Sequence, residues 1–220
     1  MIIHISGDAM ELGLIVIFWY GILHAFGPDH LTAIADFSIG KEAKRTLLSV
    51  GAFAIGHGIM LFVFAKILQH TAIPEEVLGY GDIIASSVIF SIGVYLLYLV
   101  YANKIHLSSH THDHKKHVHI WFGDEHKHES STPSAFGVGI LMGIGGVRGM
   151  LVTLGVLQGQ AVDVSMIFAF ILGVMVVFFA FGLVILWINK DILTTIKNVR
   201  RVFAAVGTIS VLVGGNMLMA

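Results

Sequence analysis

Long apolar stretches alternate with short polar segments along this chain. Six windows of about 20 residues are apolar enough to cross the hydrocarbon core of a bilayer as α-helices. These helices are predicted over the ranges Leu12–Phe37, Thr46–Ala65, Tyr80–Tyr101, Ala135–Leu157, Val164–Ile188 and Val202–Met219. The pattern predicts an all-α integral membrane protein with six transmembrane helices, of which the first is broken at Gly27-Pro28.

The composition indicates the same class of protein. Hydrophobic residues make up 56% of the 220 residues and charged residues only 12%, with a mean hydropathy of +0.85. A soluble domain carries about 25% charged residues. The chain has no cysteine, which excludes disulfides and thiolate metal sites, but it has 13 histidines. Met1 to Met10 lack a basic segment and a cleavage site, so no signal peptide is expected.

The basic residues divide unevenly between the two sides that six helices would define. Eleven of the 13 lysines and arginines fall between helices one and two, three and four, or five and six: Lys41, Lys44, Arg45, Lys104, Lys115, Lys116, Lys127, Lys190, Lys197, Arg200 and Arg201. The opposite side has only Lys66, and Arg148 falls inside a predicted helix. The positive-inside rule predicts that the basic side is cytoplasmic, with both termini outside the plasma membrane.

A polar segment divides the six helices into two groups of three. The predicted domains are a first three-helix repeat over residues 1–102, a cytoplasmic loop over 103–133 and a second three-helix repeat over 134–220. The loop contains the histidines His106, His110, His112, His114, His117, His119, His126 and His128. Its composition predicts a largely disordered segment that captures metal, although a solvated linker that binds metal incidentally fits the same composition.

Both groups of three helices begin with a polar interruption that contains glycine. Gly27-Pro28-Asp29-His30 in the first helix corresponds in position to Gly146-Val147-Arg148-Gly149 in the fourth. With three helices in each group, the second group inserts upside down, which predicts two inverted repeats with a site at their interface. Arg148 is a candidate counter-charge for Asp29, because an arginine inside a membrane is costly. An arginine near a membrane end that reaches the interface fits the sequence as well.

The segment from His24 to His30 carries the most informative chemistry. Pro28 lacks an N–H, and its ring clashes with the carbonyl of His24, so the helix is expected to kink or unwind there. On a straight helix His24 and His30 would lie about 240° apart, so the break would let both reach one ion. Ionisable groups inside a membrane are usually functional. A polar kink satisfied by neighbouring helices is the alternative interpretation.

His57 lies in the middle of the next helix between two glycines, which favour a close helix approach. It is the candidate third imidazole, although a histidine that only forms a helix–helix hydrogen bond fits equally. Imidazoles with a carboxylate suit Ni(II), Co(II), Zn(II) or Cu(II) better than Mg(II). The predicted metal ligands are therefore His24, Asp29, His30 and His57. The same residues could instead form a proton relay.

The spacing His-x4-Asp-His, here His24, Asp29 and His30, resembles the signature of the nickel/cobalt transporter (NiCoT) family. Gly56-His57 resembles the second motif of that family, and the histidine-rich loop resembles its efflux branch. The family importers commonly have Asp-Ala where this chain has Gly27-Pro28. The resemblance implies secondary transport of Ni(II) or Co(II), with the motif residues as ligands.

The resulting hypothesis is a plasma-membrane Ni(II)/Co(II) transporter whose direction leans to efflux, since the cytoplasmic histidines could gather excess metal. Its partners would be a transition-metal ion and the lipid bilayer, with no nucleic acid and no cofactor besides the transported metal; homo-oligomerisation is left open. No phosphate-binding loop and no nucleophile–base pair occurs in the sequence, so an enzyme is not expected. Two alternatives are an amino-acid or organic-anion exporter that uses Arg148 and a membrane metal-binding accessory protein.

Overall fold

The computed structural model describes residues 7–68, 75–112, 115–122, 131–146 and 164–219. Within them the helices are α1 (Gly7–Ala25), α2 (Pro28–Ser38), α3 (Ala43–Leu68), α4 (Glu75–Tyr101), α5 (Ser131–Gly145), α6 (Val164–Trp187) and α7 (Ile196–Met219). A π-helical turn, Ile188–Ile192, continues α6, and an antiparallel hairpin, β1 (Ile105–His112) and β2 (Lys115–Phe122), follows α4.

Four of these helices are long and apolar enough to cross a membrane. The spanning segments are Ala43–Phe64, Gly79–Tyr101, Val164–Ile192 and Ile196–Met219. The bent pair α1 and α2 passes the same test as one broken span, which gives up to five. The chain is thus a helical membrane protein, as the sequence predicts, whereas the count of six spans stays a prediction. Of the predicted fourth span, Ala135–Leu157, the structure describes only the shorter apolar helix α5, and residues 147–157 lie outside the described part.

The helices α1, α3, α4, α5 and α7 begin before the predicted spans, at Gly7, Ala43, Glu75, Ser131 and Ile196, whereas α6 begins at Val164 as predicted. The break in the first span lies where Gly27-Pro28 predicts it, since α1 ends at Ala25 and α2 begins at Pro28. However, α7 begins at Ile196 and not at the predicted Val202. The extra turns contain Lys197, Asn198 and Arg200, whose polarity marks the end of the apolar window but does not stop a helix.

The largest helix–helix contacts join α1 to α6, α3 to α5 and α4 to α7. Glycines bring the backbones together in the first pair. A Cβ on Gly21 would overlap the carbonyl oxygen of Phe170, and a Cβ on Gly173 would overlap that of Phe18. Small residues allow this close approach, which is a common source of helix association in membranes.

The α3–α5 pair repeats this arrangement with its own residues. A Cβ on Gly56 would overlap the carbonyl oxygen of Phe136, and a Cβ on Gly139 would overlap that of Phe53. The same short sequence, Phe-x-x-Gly, therefore occurs at all four contacts, as Phe18–Gly21, Phe53–Gly56, Phe136–Gly139 and Phe170–Gly173. The α4–α7 pair also packs through glycines, namely Gly93, Gly207 and Gly214.

The hairpin corrects the expectation that the histidine-rich loop is largely disordered. Its strands pair from Ile105 opposite Phe122 to His112 opposite Lys115. Ile105 is buried, and Leu107 and Ile120 pack on an apolar cluster formed by the ends of α2, α4 and α7. Apolar residues at every second position thus give one face of the hairpin a core to pack on. The abundant histidines between them conceal this alternation in the sequence.

Candidate metal centre

The centre is built at the break between α1 and α2. Because Pro28 has no N–H and its ring excludes the preceding helical turn, the helix cannot continue through it. The carbonyl oxygen of His24 instead accepts a hydrogen bond from the Gly27 amide at 3.0 Å. Pro28 then begins α2, a position that suits its fixed φ. The two helices meet at a bend of 62°, which turns the end of α1 and the start of α2 toward the same point.

Three imidazoles converge at this bend. His24 comes from the last turn of α1, His30 from the first turn of α2 and His57 from the middle of α3. One ring nitrogen of each lies within 4.8 Å of those of the other two. The ring centroid of His30 lies 4.8 Å from the ring centroid of His24 and 4.8 Å from that of His57. The ring centroids of His24 and His57 are 5.7 Å apart. The bend therefore removes the wide angular separation that a straight helix would impose.

Four ring nitrogens of these histidines are buried and have no hydrogen-bond partner among the described residues. They are Nε2 of His24, Nε2 of His30 and both nitrogens of His57. The backbone of Gly139 approaches the His57 ring, but without the geometry of a hydrogen bond. A buried polar atom without a partner costs about 1–3 kcal/mol. His30 and His57 are 3% and 0% exposed, and each of the three imidazoles has at least one buried nitrogen without a partner among the described residues.

Asp29 orients one of the three rings. Its Oδ1 lies 2.8 Å from Nδ1 of His30, where the protonated ring nitrogen donates to the carboxylate. This bond holds the proton on Nδ1 and leaves the lone pair of Nε2 directed at the centre, an arrangement common for metal-binding histidines. Asp29 is not among the convergent ligand atoms. The structure thus places it to position His30, and its direct coordination of a metal stays a prediction.

Phenylalanine rings enclose the centre. Phe170 lies 5.3 Å from the His24 ring, Phe178 5.7 Å from the His30 ring, and Phe53 stacks on His57 at 6.0 Å. Sequence reasoning missed these residues. Phe53 and Phe170 each begin a Phe-x-x-Gly sequence, but Phe37, Phe90 and Phe179 do so too, and the pattern therefore does not identify the site. An apolar enclosure lowers the local dielectric and strengthens any interaction between an ion and the imidazoles.

The second half of the chain closes the site. A Cβ on Gly146, which directly follows α5, would lie 3.2 Å from Nε2 of His24, so a side chain there would crowd this nitrogen. Phe170 and Phe178 come from α6. The histidines all belong to the first half of the chain, while Gly146 and these two phenylalanines belong to the second. The centre therefore lies between the two halves of the chain.

The remaining predicted site residues are placed only in part. His106, His110 and His112 lie on β1 and His117 and His119 on β2, with His110 opposite His117 in the register. Arg148, His114, His126 and His128 lie outside the described residues. The pairing of Arg148 with Asp29 and the capture of metal by the loop thus stay predictions.

The local chemistry suits a transition-metal ion, because imidazole nitrogens are borderline donors of the kind that Ni(II), Co(II), Zn(II) and Cu(II) accept. No protein-family description, characterised protein or solved structure matches this chain.

Proposed function

We propose that the chain is a secondary transporter that moves Ni(II) or Co(II) across the plasma membrane, with His24, His30 and His57 as its metal ligands. The observation that carries the proposal is the convergence of three imidazoles at the bend between α1 and α2, each with a buried ring nitrogen that has no partner among the described residues. Broken helices supply binding sites near the midplane in many secondary transporters. The resemblance of the His24–His30 and His57 motifs to the nickel/cobalt transporter family adds the identity of the ion.

The proposed architecture is six spans in two inverted three-helix repeats. The helix contacts support it, because exchanging the two halves converts the α1–α6 pair into the α5–α3 pair and leaves the α4–α7 pair unchanged. The Phe-x-x-Gly contacts follow the same exchange. The basic residues favour a cytoplasmic hairpin and external termini. A histidine-rich segment on the cytoplasmic side favours export, because it meets the ion before the centre does.

The test is transport by the purified chain in liposomes. Wild-type protein is expected to move radioactive nickel across the bilayer, whereas His24→Ala and His30→Ala proteins insert but do not. Tyr98→Ala is the matched control, since it removes a ring from the exposed surface of α4, away from the centre. Nickel flux that persists without His24 or His30 would contradict the assigned ligands.

The same liposomes separate the two alternatives. Nickel binding without flux indicates a membrane metal-binding accessory protein. Flux of an amino acid or organic anion, with no effect of nickel or of the histidine variants, indicates an exporter of that class. Deletion of residues 107–128 addresses the direction in cells: higher nickel accumulation fits export, and lower accumulation fits import.

A further inference from the structure

A second ionisable group lies in the broken span and takes no part in the metal centre. Asp36 is near the end of α2 and is half-buried. Ser210, in the interior of α7, is fully buried, and its Oγ lies 3.0 Å from Oδ1 and 3.2 Å from Oδ2 of Asp36. A carboxyl group in a membrane span with a single hydroxyl partner is costly to keep, which points to a functional role.

The Ser210 hydroxyl can serve either protonation state of this carboxyl. Its Oγ is also 3.0 Å from the carbonyl oxygen of Val206, so its one proton has two acceptors within reach. If Asp36 is ionised, Ser210 donates to the carboxylate. If Asp36 is protonated, its O–H donates to Ser210, which in turn donates to Val206. The pair can thus gain or lose a proton without any change of partner.

No charged group compensates Asp36 within the described residues. On the helices packed against α2, the titratable and charged groups are Lys44, Arg45, His57 and Lys66 on α3, Glu75, Glu76, Tyr80, Asp82, Tyr95, Tyr98 and Tyr101 on α4, and Lys197, Arg200 and Arg201 on α7. The helices α5 and α6 carry none. Among the side chains that the structure describes, Asp36 forms no ion pair, and its hydrogen-bond partner is Ser210.

The helix α2 connects this carboxyl to the metal centre. Asp36 follows His30 by six residues, which is about 9 Å of helical rise. A divalent ion on His30 would therefore attract a carboxylate at Asp36 through a medium of low dielectric, and metal binding would favour loss of the proton. Protonation of Asp36 would in turn favour release of the metal.

We propose, resting on the transport function above, that Asp36 is the proton-coupling residue and that the metal moves in exchange for a proton carried on its carboxyl. In each cycle the carboxyl O–H bond breaks on one side of the membrane and the proton passes to water, leaving the carboxylate while the metal is bound. On the other side the metal leaves, and the carboxylate takes a proton from water. No other group need change its covalent state.

The experiment uses the full chain in liposomes with an internal pH dye and radioactive nickel. Two quantities are measured: nickel–nickel exchange without a pH gradient, and nickel movement coupled to proton movement. Wild-type protein is expected to show both. The Asp36→Asn variant, whose side chain cannot lose a proton, is expected to retain exchange but to lose coupled proton movement and uphill accumulation. The Asp36→Glu variant should restore them.

The outcomes separate this inference from the proposed function. Absence of nickel flux in the wild-type protein overturns both, whereas nickel flux without proton movement overturns only the coupling. Coupled proton movement by the Asp36→Asn variant also overturns the role of Asp36. The same holds if the Asp36→Asn variant still binds nickel but no longer shows nickel–nickel exchange. If the Asp36→Asn variant does not fold, the Ser210→Ala variant is tested in its place. A shifted pH profile of uphill nickel accumulation supports the proposal, and an unchanged profile overturns it.

Discussion

The imidazole of His57 is fully buried, yet neither of its ring nitrogens makes a hydrogen bond among the described residues. Such a ring lowers the stability of the protein, and a bound ion would compensate this cost. The sequence makes His57 a candidate ligand through its place between Gly56 and Gly58, and this role stays a prediction. Its distance from His24 and His30 could not be predicted, because that distance depends on how far the first span bends.

This view of His57 predicts the behaviour of His57→Leu. The variant replaces an unpaired polar ring with an apolar side chain of similar volume, so the metal-free protein should unfold at the wild-type temperature or above. Nickel should stabilise the wild-type protein by about 2.7 kcal/mol at roughly 100 times its Kd, but not the variant. Thermal unfolding with and without nickel measures both effects. A marked loss of stability in the metal-free variant would contradict the assignment.

Asp29 illustrates a role that only the geometry reveals. The spacing of the motif makes it a candidate ligand, whereas the structure directs its carboxylate at Nδ1 of His30. Asp29→Asn should therefore weaken nickel binding about 10–100-fold without abolishing it, as is typical when a partner of a metal ligand is changed. Equilibrium dialysis measures this change. Asp191→Asn, on an exposed aspartate, is the matched control; complete loss of binding in Asp29→Asn would instead favour direct coordination.

At the scale of elements, the break in the first span was predictable because Pro28 acts locally. The helix contacts were not predictable from the apolar windows, which show that a helix crosses the membrane but not which neighbour it meets. The Phe-x-x-Gly sequence recurs at the close backbone contacts of the two pairs next to the metal centre. It also occurs at Phe37–Gly40, Phe90–Gly93 and Phe179–Gly182, so the sequence alone does not distinguish these contacts.

Two neighbouring glycines in α5 test the importance of these contacts. Gly139→Ala places a methyl group against the Phe53 carbonyl, so α3 and α5 must separate, and we expect a destabilisation of about 1–3 kcal/mol. Nickel affinity should also fall, since α3 carries His57. Gly137→Ala is the control because a Cβ there meets nothing within 4 Å. Thermal unfolding and nickel binding of both variants give the comparison, and equal effects would refute the close contact.

The far end of α2 is held by Asn189 in the π-helical turn after α6. Its Oδ1 accepts a hydrogen bond from the Gly40 amide at 2.8 Å, and its Nδ2 lies 2.9 Å from the carbonyl oxygens of both Ser38 and Lys41. Hydrophobicity patterns do not reveal these hydrogen bonds of Asn189, because they join residues about 150 positions apart in the chain. The Asn189 side chain thereby holds the end of the helix that carries both His30 and Asp36.

Loss of the Asn189 hydrogen bonds should destabilise the end of α2. Asn189→Ala removes the acceptor of the Gly40 amide, whereas the carbonyls of Ser38 and Lys41 keep the Thr46 hydroxyl as a donor. Loss of the partner of a buried amide costs about 1–3 kcal/mol. We expect faster hydrogen exchange in α2 and a lower unfolding temperature. Asn216→Ala near the end of α7 serves as the control. Unchanged exchange in α2 would show that packing alone holds this helix.

At the scale of the whole molecule, the basic residues predict a sidedness that the helices alone do not define. The absence of cysteine in the chain makes the test direct. A single cysteine at exposed Glu76 should react with a membrane-impermeant maleimide added to intact cells, and one at exposed Thr194 should react only after lysis. The reverse pattern would invert the orientation and, with it, the side on which the hairpin lies.

The pairing of helices across the two halves has a consequence for synthesis of the protein. Each of α1, α3 and α4 has its main partner in the second half, so the glycine surfaces of the first half have nothing to pack against when they leave the ribosome. The helices of the first half must therefore remain in the lipid, or bound to an insertion factor, without their main packing partners until α5, α6 and α7 have been inserted. The three histidines therefore acquire the phenylalanine rings of α6 only after the second half has been made.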